Sequence, residues 1–324
     1  MPELENAATL PDVSVVLCCY TLRRWDDITA AVRGLDGQTH RPDRVIVVVD
    51  HNDDLLERAS DHLPGLTDLP LSVIPNTGQQ GLSGARNTGI AAATTAAVAF
   101  LDDDACPQPD WLAAMIAEFA DPAVVVAGGR STPGWPESRP FWFPEEFDWV
   151  VGSTYRGMPE TVADVRNVHG ASMLFRRETF TEVGGFAEGV GRIGIVPLGC
   201  EETELCIRIA QDLPGARIRY VPESLVVHRV SEDRVRYRYF VTRCWAEGLS
   251  KAQISALVGR QDSTSAERDY ARRVLPRAVL RDLRSAISGS PRVAARAATV
   301  VVGFVVTAAG FAWGAARDRR TTRA

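Results

Sequence analysis

The stretch Ala97-Val98-Ala99-Phe100-Leu101-Asp102-Asp103-Asp104 is a short apolar run that ends abruptly in three adjacent carboxylates. An apolar run of this length reads as a buried strand of a parallel sheet. In an open α/β sheet, the carboxyl end of such a strand faces the ligand crevice. Neighbouring aspartates repel one another, and a hard divalent cation relieves the repulsion. Mg²⁺ and Mn²⁺ take oxygen ligands and complete their shells with water and substrate phosphates. Side chains of an extended backbone alternate in direction, so Asp102 and Asp104 point one way and Asp103 the other. A solvated acidic turn is the alternative that this stretch alone leaves open.

The chain leading to this run alternates strand and helix. Strands are read at 13–20, 44–50 and 71–75, with helices at 26–35 and 55–62 between them. Short β-α-β-α-β units of this kind predict a doubly wound, mostly parallel sheet with right-handed crossovers. The second strand also ends in an aspartate, Asp50, before a polar turn at His51-Asn52-Asp53-Asp54. A glycine-rich segment from Asn76 to Ile90 follows, with Ser83 as a cap for a helix starting near Gly84. Arg86 beside a helix N-terminus suits an anionic diphosphate, although the segment matches neither the Walker pattern nor G-x-G-x-x-G. A helix is read at 109–119.

The second half is less regular. A strand at 124–129 leads to a loop rich in proline and aromatics between Trp135 and Trp149, including Trp142. Core packing accounts for most of these rings; an exposed one can stack on a sugar face. A strand at 169–177 begins at His169-Gly170-Ala171. A helix starts at Glu201-Glu202-Thr203-Glu204, whose carboxylates interact favourably with the helix dipole. Apolar segments at 218–222 and 225–228 close this part, the last ending in His228.

A net charge of -5 argues against a general nucleic-acid binder, which needs a basic surface to displace counterions. The six cysteines form no C-x-x-C pair or other metal-ligand spacing, so free thiols in a reducing compartment are expected. No signal-peptide pattern precedes the first strand, where Glu3 and Glu5 stand. The far end differs. Residues 297–316 carry no charge, with Arg292 and Arg296 before them and Arg317, Arg319 and Arg320 after. That length suits a membrane-inserted or membrane-lying helix, with a buried or partner-packing helix as the alternative. The intervening 233–291 is arginine-rich and helical, and either a solvated face or a surface attracted to anionic headgroups.

Taken in order, these residues resemble a family 2 glycosyltransferase of the nucleotide-sugar type with a GT-A fold. The likeness runs from about Val13 to His228. It rests on the Tyr20 and Val49-Asp50 strand ends, Asn76 to Gly89, Asp102 to Asp104 and Gly170 to Arg177. It continues through Gly184-Gly185-Phe186, the Glu201-Glu202-Thr203-Glu204-Leu205 helix start and Val226-Val227-His228. The resemblance implies a Rossmann-like, mostly parallel sheet flanked by helices. It divides the chain into a polar lead at 1–11, a GT-A domain at 12–232, a helical extension at 233–291 and a membrane-associated tail at 292–324.

It also implies roles. Asp50 takes the place of an aspartate that hydrogen-bonds the nucleotide base. Cys19-Tyr20 stands where a Thr-Tyr pair lines the same pocket, so the cysteine is a departure. Arg86 approaches the donor, Asp102 and Asp103 contact it, and Asp104, Asp102 and His228 hold Mg²⁺ or Mn²⁺, with Asp104 the direct ligand. Trp142, Gly170, Ala171 and Glu201 fall on the acceptor side. Glu202 stands in the place of the base, where aspartate is usual. The implied reaction moves a sugar from a nucleotide diphosphate sugar, UDP-linked in the first instance, to a saccharide or lipid-linked hydroxyl. It does so with inversion, at the cytoplasmic face of the cell membrane.

A narrower likeness to archaeal glucuronosyltransferases acting on dolichyl-phosphate-linked glucose rests on Gly129-Arg130, Pro133, Trp135, Phe143 to Phe147, Trp149, Val151-Gly152 and Arg156-Gly157. If it extends to the donor, Arg130, Arg139, Arg156 or Arg166 meets the glucuronate carboxylate. Three rival readings are weaker. A processive polysaccharide synthase calls for Gln-x-x-Arg-Trp, which Thr242-Arg243-Cys244-Trp245 does not supply. An Asp-x-Asp phosphatase places its motif on the first strand. A membrane-anchored, non-catalytic sugar-nucleotide-binding subunit has no need of both the metal acids and Glu202.

Overall fold

The computed structural model describes residues 10–191, 198–259, 265–289 and 292–321. The polar lead therefore lies almost wholly outside the described residues. Alternating strands and helices build a single mixed sheet: β1 (Val13–Cys19), α1 (Trp25–Asp36), β2 (Arg44–Val49), α2 (Asp53–His62), β3 (Leu71–Pro75), α3 (Leu82–Ala92), β4 (Ala97–Asp102), β5 (Ala105–Pro107), α4 (Trp111–Ala117), β6 (Val124–Gly134), β7 (Ala163–Asp164), β8 (Ser172–Arg176), α5 (Arg177–Val183), α6 (Glu201–Asp212) and β9 (Arg217–Arg229). The order across the sheet is β3-β2-β1-β4-β8-β6-β9-β5, with β7 beside β9. The strands β3, β2, β1 and β4 are parallel, as the alternation predicts. Beyond β4, β8 pairs antiparallel with both β4 and β6, and β5 antiparallel with β9.

Two faces of the sheet are buried by the period-2 rule. Val13, Val15, Leu17 and Cys19 of β1 join the core beneath α1, α2 and α4, whereas Val16 faces the core under α3 and α6. The helix α3 approaches β1 very closely at Gly89, where a Cβ would sit 2.4 Å from Val16 Cγ1. No larger residue fits there without moving the helix. Ser83 is not the cap of this helix. Gly81 precedes it, and the buried Ser83 hydroxyl donates to Val190 O at 2.7 Å. The two apolar segments near the end of this part are one strand, β9, with a register shift against β6 between Gly129 and Arg130.

Of the remaining helices, α7 (Tyr237–Val258), α8 (Ser265–Asp269), α9 (Leu275–Ile287) and α10 (Val293–Thr321), α7, α9 and α10 pack against the aromatic loop. Phe143 and Phe147 are fully buried there with Phe240, Leu275 and Val300. The apolar tail helix α10 runs parallel to α7. Gly303 meets Phe147 and Phe240, Gly310 meets the Trp245 backbone, and Gly314 meets Ala252. At Gly248 a Cβ would lie 2.2 Å from Thr307 O, so the two helices touch backbone to backbone. Gly248→Leu must force them apart and is expected to cost about 1–3 kcal/mol. A thermal midpoint equal to the parent's would contradict this contact.

Only 28% of the most apolar window of Val293–Arg317 is buried, although this helix is long and apolar enough to cross a membrane by length and composition. Its outer side exposes Val301, Phe304, Val305 and Trp313.

Candidate active site

The parallel register aligns the carboxyl ends of three strands. Cys19 pairs with Val49, and Cys18 with Asp102, so Tyr20, Asp50 and Asp102 emerge side by side. They open into one cleft, lined also by Cys19, Arg86, Asp103, Asp104, Gly170, Ala171, Glu201, Glu202 and His228. Of the residues that the sequence points to, Trp142 stands apart. It packs edge-on against Phe240 and Tyr237 in the aromatic cluster, and of the rings of its loop it is Trp149 that lines the cleft.

Asp102 closes β4 and Asp103 and Asp104 form the turn after it, so their arrangement is set by the turn and its partners rather than by strand alternation. The short strand β5 places Ala105 opposite His228 of β9, and Arg229 N donates to Asp104 O at 2.8 Å. This ladder brings His228 Nε2 to 2.9 Å from Asp104 Oδ1 and 3.9 Å from Asp102 Oδ2. Asp102, Asp104 and His228 each offer one ligand atom, and these atoms lie within 4.8 Å of one another. Two carboxylates and one imidazole converging from one side fit a six-coordinate hard cation, with its other positions left for water and phosphate oxygens. Asp103 turns away to an ion pair with Arg24, whose other nitrogen lies 2.9 Å from Asp104 Oδ2; Arg234 approaches the same oxygen at 3.5 Å. Burial, reinforced by the adjacent carboxylates, pushes Asp103 up to about 7 despite Arg24. Burial would raise Asp104 as well, but His228, Arg24 and Arg234 together hold it well below the usual range.

At the opposite end of these strands' mouth, Asp50 is fixed before any ligand arrives. Asn76 Nδ2 donates to its Oδ1 at 2.7 Å, and Gly81 N to its Oδ2 at 3.0 Å. Asn52 caps α2 and donates to Tyr20 O, tying the two strand ends together. The Cys19 thiol lies 3.7 Å from Val48 O, and burial raises its pKa well above the ordinary value, so it stays an uncharged, weak donor.

Arg86 is a buried strut. Its guanidinium donates to Glu201 Oε1 at 2.8 Å, Asp102 Oδ1 at 3.2 Å and Gly170 O at 3.0 Å. One side chain thereby joins α3, the end of β4, the start of α6 and the turn before β8. Glu201 is occupied by this contact, and Glu202, half-buried in the same first turn, faces the cleft. Burial, with Glu201 adding, pushes Glu202 up to about 8, against the pull of Arg86. His169 is neutral, driven down to about 3 by burial and by His228.

Arg24, Trp149, His169, Arg234, Tyr239 and Arg243 also line the cleft and were not singled out from sequence. The available signals were weak: Arg24 stands four residues past a strand end, and Arg234 and Arg243 sit within an arginine-rich stretch. The four arginines proposed for a sugar carboxylate lie outside the cleft lining. Arg139 grips Asp148 with both nitrogens, Arg156 pairs with Glu145 and Arg166 with Glu267.

Residues 14–184 match the sequence pattern of the family described as "Glycosyl transferase family 2". A glucosyl-dolichyl phosphate glucuronosyltransferase of Haloferax volcanii is 34% identical over 246 residues, 76% of this chain and 78% of that protein. A pre-mycofactocin glycosyltransferase of Mycobacterium tuberculosis is 28% identical over 71% of this chain and 51% of its own length. Among solved structures, a mannosyltransferase of Pyrobaculum calidifontis in complex with GDP-Man and Mn²⁺ superposes with a TM-score of 0.59. The match covers 93% of this chain and 88% of the other at 20% identity. GalNAc-T7 with UDP, GalNAc and Mn²⁺ gives 0.54, covering 77% of this chain and 50% of the other. Both share the GT-A fold.

Proposed function

Since the chain belongs to glycosyl transferase family 2 and is a glycosyltransferase, we propose that it transfers one sugar from a nucleotide diphosphate sugar to a hydroxyl of a lipid-linked saccharide. In this reading the reaction is metal-dependent, non-processive and inverting, with Glu202 as base. The observation that carries the reading is one cleft holding an Asp-Asp-His cation group and a carboxyl of raised pKa. A bound Mg²⁺ or Mn²⁺ supplies charge stabilisation to the leaving diphosphate.

The remaining steps fall to side chains. Asp50, preset by Asn76 and Gly81, accepts from the base. Asp102 faces the donor, with Arg86 holding it in place, whereas Asp103 is turned to Arg24. Glu202, once ionised, takes the proton of the acceptor hydroxyl as its oxygen attacks the anomeric carbon from the opposite side, so an α-linked donor gives a β-linked product. Gly170, Ala171 and Glu201 form the acceptor wall. The relative from Haloferax supports a glucuronate donor and a dolichyl-phosphate-linked acceptor. In that case the carboxylate is met by Arg234 of the cleft lining, because Arg130, Arg139, Arg156 and Arg166 lie outside that lining.

Purified protein should turn over one nucleotide sugar of a panel only with Mn²⁺ or Mg²⁺ present. Metal-independent turnover, or hydrolysis of simple phosphomonoesters, would refute the reading.

We also place the cleft at the cytoplasmic face of a membrane, where the six free thiols stay reduced. In this reading α10 lies in the interface plane rather than crossing it. Its support is the parallel packing on α7, a helix that carries Arg243, Glu247 and Lys251 and would have to enter the bilayer alongside it. Leu280, Leu283 and Ile287 of α9 are exposed as well, beside Arg277 and Arg284. Val305→Glu with Trp313→Glu, both on the exposed side, should lower pelleting with anionic vesicles about tenfold, since apolar insertion drives such binding. Undiminished pelleting would exclude this face as the anchor.

A further inference from the structure

Beneath the acceptor side of the cleft lies a chain of alternating charges that the reaction described above does not use. Arg243 and Lys251, one turn either side of Glu247 on α7, approach its carboxylate at 2.8 and 3.1 Å. Lys251 Nζ is also 2.5 Å from Glu267 of α8, which in turn takes both terminal nitrogens of Arg166 at 2.6 and 2.8 Å. Glu247 is buried, and a buried carboxylate between two cations is held ionised. Its pKa falls to about 2 because Lys251 and Arg243 outweigh the effect of burial.

Both ends of this chain reach the cleft wall. At one end, Cys200 Sγ donates to Glu247 Oε1 at 3.3 Å, and Gly199 N donates to Ser250 Oγ at 3.2 Å. Cys200 is the residue before α6 and has left-handed backbone angles, φ 74 and ψ 16, with no side-chain cap. A non-glycine residue in that region is strained and persists only where its surroundings hold it. Here Glu247 and Ser250 are the holding groups, two residues ahead of Glu202. At the other end, Arg166 sits three residues before His169, which lines the cleft beside Gly170.

We propose that Glu247 and Ser250 are positioning residues for the transfer reaction: by clamping the Gly199-Cys200 turn onto α7 they fix where Glu202 points, while Arg243, Lys251, Glu267 and Arg166 extend the clamp to the opposite acceptor wall. The clamp comes from the helical extension rather than from the sheet. It shares α7 with the apolar tail, which packs on Gly248 between the two positioning residues. The inference rests on the assignment of Glu202 as base.

The test uses the full-length protein. Glu247→Gln keeps the size of the side chain and removes its charge. Transfer kcat is expected to fall tenfold or more, with the donor KM within twofold. The pH at which the rate becomes half-maximal should also move to lower values, a change that lost packing alone would not produce. The groups facing Glu202 are Glu201 on its own helix, Arg86 from α3 and Glu247 from α7. Loss of the Glu247 charge removes one of the two carboxylates that oppose ionisation of Glu202 and leaves Arg243 and Lys251 less neutralised. Both effects favour the ionised base at lower pH.

Ser250→Ala, which removes the bond to Gly199 together with the Ser250 Oγ donation to Ala246 O one turn back on α7, should lower kcat at least threefold with an unmoved pH midpoint. A folded Glu247→Gln protein with the parent's kcat and midpoint overturns the proposal. If that variant does not fold, Ser250→Ala with unchanged kcat overturns it. A parent pH profile with no rising limb counts against Glu202 as the base, and the loss or retention of kcat in Ser250→Ala then still decides the clamp.

Discussion

Replacing Glu202 with glutamine is expected to reduce the transfer rate by roughly 10²–10⁴-fold, the usual contribution of a positioned base, while donor affinity stays within about twofold. Glutamine keeps the shape and can still face the cleft, but it cannot accept the proton of the attacking hydroxyl. In the proposed reaction the donor is held elsewhere, at Asp50 and at the Asp-Asp-His group, so its binding should survive. Burial and Glu201 push Glu202 up to about 8, so below that pH most of the protein carries a protonated, inactive side chain.

The parent rate should therefore rise about tenfold per pH unit until it levels near 8, and the glutamine variant should show no such limb. Stability runs the other way. The folded protein retains a proton on Glu202 that the unfolded chain releases near the ordinary carboxylate value, so this group's contribution is complete at acid pH. It declines as pH rises from that value through about 8. Glu202→Gln should consequently flatten the fall of the thermal midpoint over this range. Transfer at the parent rate, or an unchanged alkaline slope in both measurements, would remove Glu202 from the base role.

The part of this site that sequence discloses is the part that strands deliver. Apolar runs ending at Tyr20, Asp50 and Asp102 can be aligned without coordinates, because parallel strands of similar length bring their carboxyl ends to one edge. What sequence does not disclose is pairing between distant segments. Nothing near Ala105 announces that it will lie opposite His228, and that antiparallel pairing completes the cation group.

Arg86 looks like a free cation beside a glycine-rich turn, yet three acceptors from other elements enclose it. Trp142 and Trp149 are indistinguishable as aromatic residues of one loop. Their separation depends on which of them meets Phe240 and Tyr237 of α7, a contact made across nearly a hundred residues. The glycines of α10 likewise lower its hydropathy as read from composition, whereas in the fold they are what lets it lie against α7.

Asp104→Asn should abolish metal-dependent donor binding, whereas Asp103→Asn should leave it largely intact. The contrast follows from geometry. Asp104 faces His228 at 2.9 Å and belongs to the group whose ligand atoms lie within 4.8 Å of one another, while Asp103 points to Arg24. An amide oxygen is a weaker and uncharged ligand, so removing this carboxylate should weaken Mn²⁺ binding by about a hundredfold or more, beyond the 10–100-fold typical of supporting residues. Asp104→Asn also takes one negative charge from a buried cluster in which Arg24 and Arg234 both lean on it. Those cations would be left less neutralised, which opposes a second cation and reinforces the loss. Arg24 keeps Asp103 as a partner in that variant, so the protein should remain folded. Calorimetric titration of Mn²⁺ alone, then of a nucleotide sugar with and without Mn²⁺, separates the two substitutions. Equal loss from both would mean that the cation site is centred on the whole acidic turn and not on the His228 side of it.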